Sequence, residues 1–302
     1  MRKRIAVVGD LMIDIDSIVS RATDREARQC LEVGETRRRL GTAGAVGTMV
    51  STLGIDVTLI AAANVDDIQT IRRMFPGFCH LLGHQQPTTT RERFYREDWT
   101  VAGPRVDRNS RAVITAADQE QFAGRIIASA CDAVIVCDHG QGVVGARLME
   151  LLAPAGIPVF ADPYRTSDFA IFSGVECLAL NRDEEEILAG TDAEPVPKNI
   201  IQKYDEDGLW WYRDGWLFAP KAGPGQFDPY RLYFPSMARE IVDTIGAGDQ
   251  FIAALAAARV LGDNWETAIM KANAAAGIQC ERPGIRPVTW SDIGERLKPV
   301  AE

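Results

Sequence analysis

The sequence predicts an α/β fold, a mainly parallel central sheet flanked by helices, on three observations. Short apolar runs recur at residues 5–9, 57–61, 133–137, 158–161, 176–180 and 199–202. Helical patterns separate them, and a polar residue follows several of them directly. Runs this short, without polar–apolar alternation, suit strands covered on both faces.

The first run, Ile5-Ala6-Val7-Val8-Gly9, ends at Asp10. Residues 45–53 follow a helical period, with Val46, Met49, Val50 and Leu53 on one face, and Gly54 supplies a C-terminal stop. Asp138 follows the run at 133–137, Asp162 follows 158–161, and Asn181 follows 176–180. In an open parallel sheet ligands bind beyond the carboxyl ends of strands, so these residues point to one shared cleft. Asp and Asn also cap helices and make turns, and that reading stays open for any one of them.

Two segments break the rhythm. Residues near 14–40 are polar and weakly periodic, and those near 88–108 alternate around Phe94, Tyr95 and Trp99. Both are expected to form a small β-layer over the cleft, a lid on a single domain spanning 1–302. Residues 209–218 read as a hairpin turning at Asp214-Gly215, whose tryptophans suit packing better than a ligand cage.

Composition narrows the function. The chain has 302 residues, 46% hydrophobic and 25% charged, with a formal net charge of -9. That charge disfavours nucleic acid and anionic membranes as partners. The start Met1-Arg2-Lys3-Arg4 is followed by an apolar stretch that Asp10, Asp14 and Asp16 interrupt, unlike a secretory signal. No stretch is long and apolar enough for a membrane span. Six cysteines without C-x-x-C spacing suggest reduced thiols and a cytoplasmic protein. His80, His84 and His139 show no zinc-ligand spacing, and the opening run lacks the G-x-G-x-x-G of a dinucleotide site.

The strongest chemical signal is Asp243-Thr244-Ile245-Gly246-Ala247-Gly248-Asp249, which leads into a helical pattern through Phe251, Ile252, Leu255 and Ala258, closed by Gly262. Glycines at a helix mouth let backbone N–H groups approach an anion, and the helix dipole adds positive potential there. Asp249 is placed to meet a hydroxyl attacking a phosphate held at that mouth. A purely structural strand–helix turn, with Asp249 as a cap, is the competing reading.

This run resembles the D-T-x-G-A-G-D signature of the ribokinase (PfkB) family of carbohydrate kinases. Similarity extends over most of the chain and is nearest to the heptose-phosphate kinase branch, through Val8 to Asp14, Ser20-Arg21, Gly41 to Gly44, Arg105-Val106-Asp107, Asp162-Pro163, Asn181 to Glu184, and Asn273 to Gly277. The resemblance implies a ribokinase-like fold whose β-lid often mediates homodimers, with ATP and Mg²⁺ as cofactors and a sugar or sugar phosphate as substrate. It makes Asp249 the catalytic base and the amides around Gly246, Ala247 and Gly248 the anion hole. It puts Asp10, Asp14, Gly41, Arg105, Asp107 and Asp138 near the sugar, and Asp243, Thr244, Lys203 and Asn273 near the nucleotide. Asn181 and Glu184 match an N-x-x-E motif that organises Mg²⁺, although an Asn N-cap with a Glu capping box gives the same spacing.

Several positions depart from that pattern. Thr42 replaces a glycine and Ala45 an asparagine of the glycine-rich substrate motif. Gln141 and Tyr164 stand where the heptose branch carries lysines, with Arg91 or Arg165 as compensating cations, and Lys203 stands where the family often has threonine. These changes point away from heptose 7-phosphate itself. They also leave open a kinase-derived sugar- or nucleotide-binding protein with weak or no catalysis.

Overall fold

The computed structural model describes residues 2–25, 28–165, 167–184, 197–213 and 231–298. Its larger sheet runs β13-β12-β11-β10-β9-β8-β1-β4-β5. These strands are β1 (Arg4–Gly9), β4 (Asp56–Asn64), β5 (Phe78–His84), β8 (Ala133–Cys137), β9 (Val159–Asp162), β10 (Cys177–Asn181), β11 (Asn199–Lys203), β12 (Leu209–Arg213) and β13 (Arg231–Phe234). Pairing is parallel from β5 through β11 and antiparallel at β12 and β13. Each of the six predicted runs is a strand of this sheet, within one or two residues at most ends. The strand β5 was not expected.

Both faces are covered, which explains the unalternating runs. Ile5 and Val7 face one apolar layer, made with helices α1 (Ala43–Thr52), α5 (Ala247–Val260) and α6 (Trp265–Cys280). Ala6 and Val8 face the other, made with α3 (Ala116–Ala128) and α4 (Ala146–Leu152). The remaining helices are α2 (Ile68–Met74) and α7 (Trp290–Leu297). In α5, Ala253, Ala254, Ala256, Ala257 and Ala258 are all fully buried, so small side chains let it lie deep against its neighbours. Burial of this kind stabilises at about 25 cal/mol per Å² of apolar surface.

The smaller sheet has order β3-β2-β6-β7, with β2 (Leu11–Arg25), β3 (Arg28–Thr42), β6 (Thr89–Tyr95) and β7 (Val106–Arg108). The segments expected to form a β-layer supply all four strands. The predicted turn at Asp214-Gly215 and the strand after it lie outside the described residues. The first half of that expected hairpin is β12, which pairs antiparallel with β11 and β13. Its aromatic residues pack: Trp211 stacks on Trp265 at 6.0 Å, and its Nε1 donates to Asn199 Oδ1 at 3.0 Å. No helix among the described residues is long and apolar enough to cross a membrane. Cys79, Cys131, Cys137, Cys177 and Cys280 are unpaired.

Strand order reverses at β1: the chain runs outward from β1 to β4 and β5, then returns to β8 and runs the other way through β9, β10 and β11. Such a switch point opens a crevice at the carboxyl ends of the strands. Asp10, Asp138, Asp162, Asn181 and Lys203 all stand on that edge, at or just beyond strand ends.

Candidate active site

Gly246 begins α5 with φ 76°, a left-handed conformation that a glycine adopts without strain. A Cβ there would also come within 2.9 Å of Ile285 Cγ1. The Ala247 N–H donates to Thr244 O at 3.2 Å, so it is spent inside the turn. The next amides, of Gly248 and Asp249, have no backbone partner among the described residues and are the orphan donors of the first turn.

Asp249 stands in that turn, and no described group hydrogen-bonds or ion-pairs with its carboxylate. Burial pushes its carboxyl up, the carboxylates of Asp162 and Asp14 add to the rise, and Lys203 and Arg91 oppose it, leaving it at about 7. Its surroundings therefore come from the smaller sheet (Asp14 on β2, Arg91 on β6) and from the ends of β9 and β11.

Lys203 Nζ lies 3.1 Å from Asp162 Oδ1, with the two side chains only 14% and 12% exposed. Burial opposes the ammonium, but the carboxylates of Asp162, Glu184 and Asp249 outweigh it and hold Lys203 above the usual lysine range. A Cβ placed on Gly248 would sit 3.5 Å from that Nζ, so the ammonium stands at the mouth of α5. His139 joins from the loop after β8: ligand-capable atoms of His139, Asp162 and Asp249 lie within 4.8 Å of one another. Its Nε2 is buried without a partner, and burial holds the imidazole below its ordinary range. Its metal-type neighbours are thus carboxylates, which histidine spacing in sequence does not reveal.

Glu184 is 5% exposed, and its two oxygens accept the Asn181 N–H at 2.7 Å and the Asn181 Nδ2 at 3.3 Å. This is the Glu half of a capping box, and burial raises the Glu184 carboxyl above its usual range. Each oxygen keeps a further acceptor position. Asp162 and Asp249 offer carboxylate oxygens within 4.8 Å of each other, and Glu184 acts on the same ammonium, acidic groups of the kind that suit Mg²⁺ with part of its water shell.

Asp10 is fully buried, and its carboxylate accepts the N–H groups of His139 at 2.8 Å, Gln141 at 2.9 Å and Val143 at 3.1 Å. Burial raises its carboxyl to about 6 despite those bonds. Asp10 therefore shapes the loop that carries His139; as a free sugar acceptor it is the weaker of the two early aspartates. Asp14 pairs with Arg93 at 3.1 Å, and Gly41 leaves its carboxylate room, since a Cβ there would meet Asp14 Oδ2 at 2.6 Å. Asp138 accepts Gly140 N at 2.9 Å and Ser167 Oγ at 2.6 Å.

Arg105 is half exposed and paired with Asp107 at 2.8 Å. Arg91, opposite both Asp14 and Asp107 in register, is the cation that faces the cleft. Its Nε is buried without a partner, and it makes no hydrogen bond or ion pair among the described residues. Asp243 is spent on the backbone, accepting Ile245 N at 3.0 Å and Gly284 N at 2.9 Å. Asn273 donates to Pro235 O at 2.8 Å, tying down the segment after β13, and Thr244 is exposed.

The departures also find places. Thr42 caps α1 at φ 50°, a conformation that favours glycine, and its hydroxyl donates to Asp10 O. Ala45 is buried in the first turn of α1. The Tyr164 ring lies 6.3 Å from His139, and Arg165 lies over it at 5.5 Å. A cavity of about 660 Å³ lined by Arg4, Phe78 and Arg125 opens at the opposite, amino end of the strands.

The family model described as pfkB family carbohydrate kinase matches residues 88–291. The bifunctional protein HldE of Granulibacter bethesdensis is 29% identical over 317 residues, covering 97% of this chain and 64% of that protein. HldE of Desulfatibacillum aliphaticivorans is 28% identical, covering 98% and 63%. The chain thus spans a little under two thirds of these relatives' length. Among solved structures, Arabidopsis thaliana ribokinase, complexed with ribose and ATP, matches with a TM-score of 0.71 at 18% identity, covering 99% of this chain and 100% of that one. Ribokinase from Thermotoga maritima matches equally well, at 20% identity and the same coverage. The fold is therefore ribokinase-like, and the chain belongs to the pfkB family of carbohydrate kinases.

Proposed function

We propose that this chain transfers the γ-phosphoryl group of ATP to a hydroxyl of a sugar or sugar phosphate. One observation carries the reading: the Asp249 carboxylate, at the first turn of α5, has no hydrogen-bond or ion-pair partner among the described residues, and it stands beside orphan amides and near the charges of Lys203 and Arg91. The acceptor oxygen forms a bond to the γ-phosphorus while the bond from phosphorus to the bridging oxygen breaks, and ADP leaves with that electron pair. The hydroxyl proton passes to Asp249, which orients the nucleophile and accepts the proton as the new bond forms. The amides of Gly248 and Asp249 meet charge on the transferring oxygens. Mg²⁺, when bound, neutralises phosphate charge; Asn181 and Glu184, with Asp162 nearby, are the residues that would hold its water shell.

The acceptor in this reading is polyhydroxylated and related to heptose 7-phosphate without being identical to it, because Ala45, Gln141 and Tyr164 remove an amide and two cations from the pattern. The reading includes a cytoplasmic setting, in keeping with the free cysteines among the described residues, and a homodimer formed through the smaller sheet. The test is ATP consumption against a panel of free sugars, hexose phosphates and heptose phosphates, with Asp249→Asn as control. Turnover with one acceptor class, lost in the variant while nucleotide binding persists, supports the reading. Nucleotide or sugar binding without turnover on any acceptor would favour a kinase-derived binding protein.

A further inference from the structure

Lys203 is the last residue of β11, in register with Asn181 at the end of β10. Its side chain passes over that strand end to reach Asp162 at the end of β9, 3.1 Å away. The carboxylates of Asp162, Glu184 and Asp249 all act on the ammonium, and it lies at the mouth of α5, 3.5 Å from where a Cβ on Gly248 would sit. A buried charge normally needs one partner. This one bonds Asp162, with Glu184 and Asp249 also acting on its charge, in an acidic pocket where an entering phosphate has to be met by cations.

Two departures in sequence become one arrangement here. Tyr164, just after Asp162-Pro163, stands where the resembling branch carries lysine, and Lys203 stands where the family often carries threonine. The cation lost beside the end of β9 is returned to Asp162 from two strands away. A threonine at 203 would offer a hydroxyl too short to reach Asp162 across β10.

We propose that Lys203 is a catalytic residue of this kinase, its ammonium contacting the γ-phosphoryl group in flight between the Asp249 side and the Glu184 side of the cleft. The proposal rests on the phosphoryl-transfer reading above. In the step, the acceptor oxygen bonds to phosphorus, the bridging oxygen leaves with ADP, and the proton goes to Asp249; Lys203 neither gains nor loses a proton. It neutralises charge on the equatorial oxygens, a role worth most when charge spreads over them in the transition state. Asp162 holds the ammonium in place and acts as a positioning residue.

The test needs no known acceptor. ADP with Mg²⁺ and aluminium fluoride mimics the phosphoryl group in flight, so retention of ADP with and without fluoride reads transition-state binding directly. The wild-type chain is expected to hold ADP more tightly with fluoride. K203M should lose most of that gain, on the order of 10²-fold, while binding ADP alone almost as well. K203R keeps the charge and should recover part of the gain, which guards against a variant that merely fails to fold. Once an acceptor is found, K203M should lower kcat with little change in KM for ATP. An equal fluoride-dependent gain in wild type and K203M would overturn the Lys203 role alone. Absence of any gain in the wild-type chain would overturn the phosphoryl-transfer reading and the Lys203 role together.

Discussion

Gln279 holds Ile245 and Gly284 together with a single carboxamide: its Nε2 donates to Ile245 O at 3.0 Å and to Gly284 O at 2.6 Å. Its Oε1 accepts Arg286 N at 3.0 Å, and the side chain is fully buried in α6. Asp243 makes the reciprocal clasp, taking the N–H groups of Ile245 and Gly284. The turn before α5 is thus held by two side chains against the 282–286 segment.

Gln279→Glu tests that clasp. The shape is kept, but an acceptor then faces two carbonyl oxygens inside the core. Leaving buried acceptors unmatched costs about 1–3 kcal/mol. The expected outcome is a lower Tm together with a fall in kcat larger than any rise in KM for ATP, because the amides of Gly248 and Asp249 lose their aim. Thermal unfolding and steady-state kinetics read the two effects separately.

Asp10→Asn should be more damaging than an isosteric change suggests. The carboxylate accepts three backbone N–H groups, and an amide offers one oxygen and a nitrogen that would confront a donor. A destabilisation of about 1–3 kcal/mol is expected from the unmatched donors, read in denaturant unfolding. If Asp10 instead serves chiefly as a sugar ligand, stability would be unchanged and only the acceptor KM would rise.

Much of this architecture is legible in the sequence, and the exceptions have physical causes. The buried parallel strands announce themselves because coverage on both faces demands continuous apolar runs. Strand β5 does not, since it lies at the edge of the sheet, carries His80 and His84, and has only intermediate burial along most of its length. The glycine turn and Asp249 are local in sequence and readable there. The company of Asp249 is not: His139, Asp162, Lys203 and Arg91 meet only because strand order places the ends of β8, β9 and β11 together and lays the smaller sheet over them. Lys203 looks like a departure in sequence and becomes a central charge in the fold. Arg105 and Asp107 look like a recognition pair; in the fold Arg105 bonds Asp107 Oδ2, while Asp107 Oδ1 stays buried without a partner.

Asp249 should make stability fall as pH rises. Its carboxyl is raised from 3.8 to about 7, so the folded state holds a proton that the unfolded chain has already released. A raised acid favours folding fully below the unfolded value and loses that contribution as pH climbs through the folded one. Asp249→Asn should therefore be more stable than wild type near pH 8, by on the order of 1–2 kcal/mol or a few degrees in Tm. The difference should vanish only below pH 3.8, where the carboxyl is protonated in the folded and the unfolded chain alike. For activity the sign reverses: the base works only when ionised, so kcat/KM should rise with pH through an acid limb near 7.

Arg91 is the residue through which acceptor choice is best tested. It is the cleft-facing cation of the smaller sheet, its Nε is buried without a partner, and it makes no ion pair with Asp14 or Asp107, although both lie opposite it in register. Asp14 is taken by Arg93 and Asp107 by Arg105. A guanidinium left in this state suits a carboxylate, a phosphate or a hydroxyl of the ligand, and charge-assisted bonds of this kind contribute roughly 1.5–3 kcal/mol. Arg91→Ala should then reduce kcat/KM about tenfold or more on a phosphorylated acceptor, and less on an unphosphorylated one. Gln141 and Tyr164 supply no positive charge beside it, so heptose 7-phosphate is expected to be outperformed by another member of a sugar-phosphate panel. Catalytic efficiencies across that panel, for wild type and Arg91→Ala, decide the matter: a uniform loss on all acceptors would show that Arg91 tunes Asp249 without reading the substrate, and heptose 7-phosphate emerging as the best acceptor by a wide margin would show that the departures at Ala45, Gln141 and Tyr164 leave specificity intact.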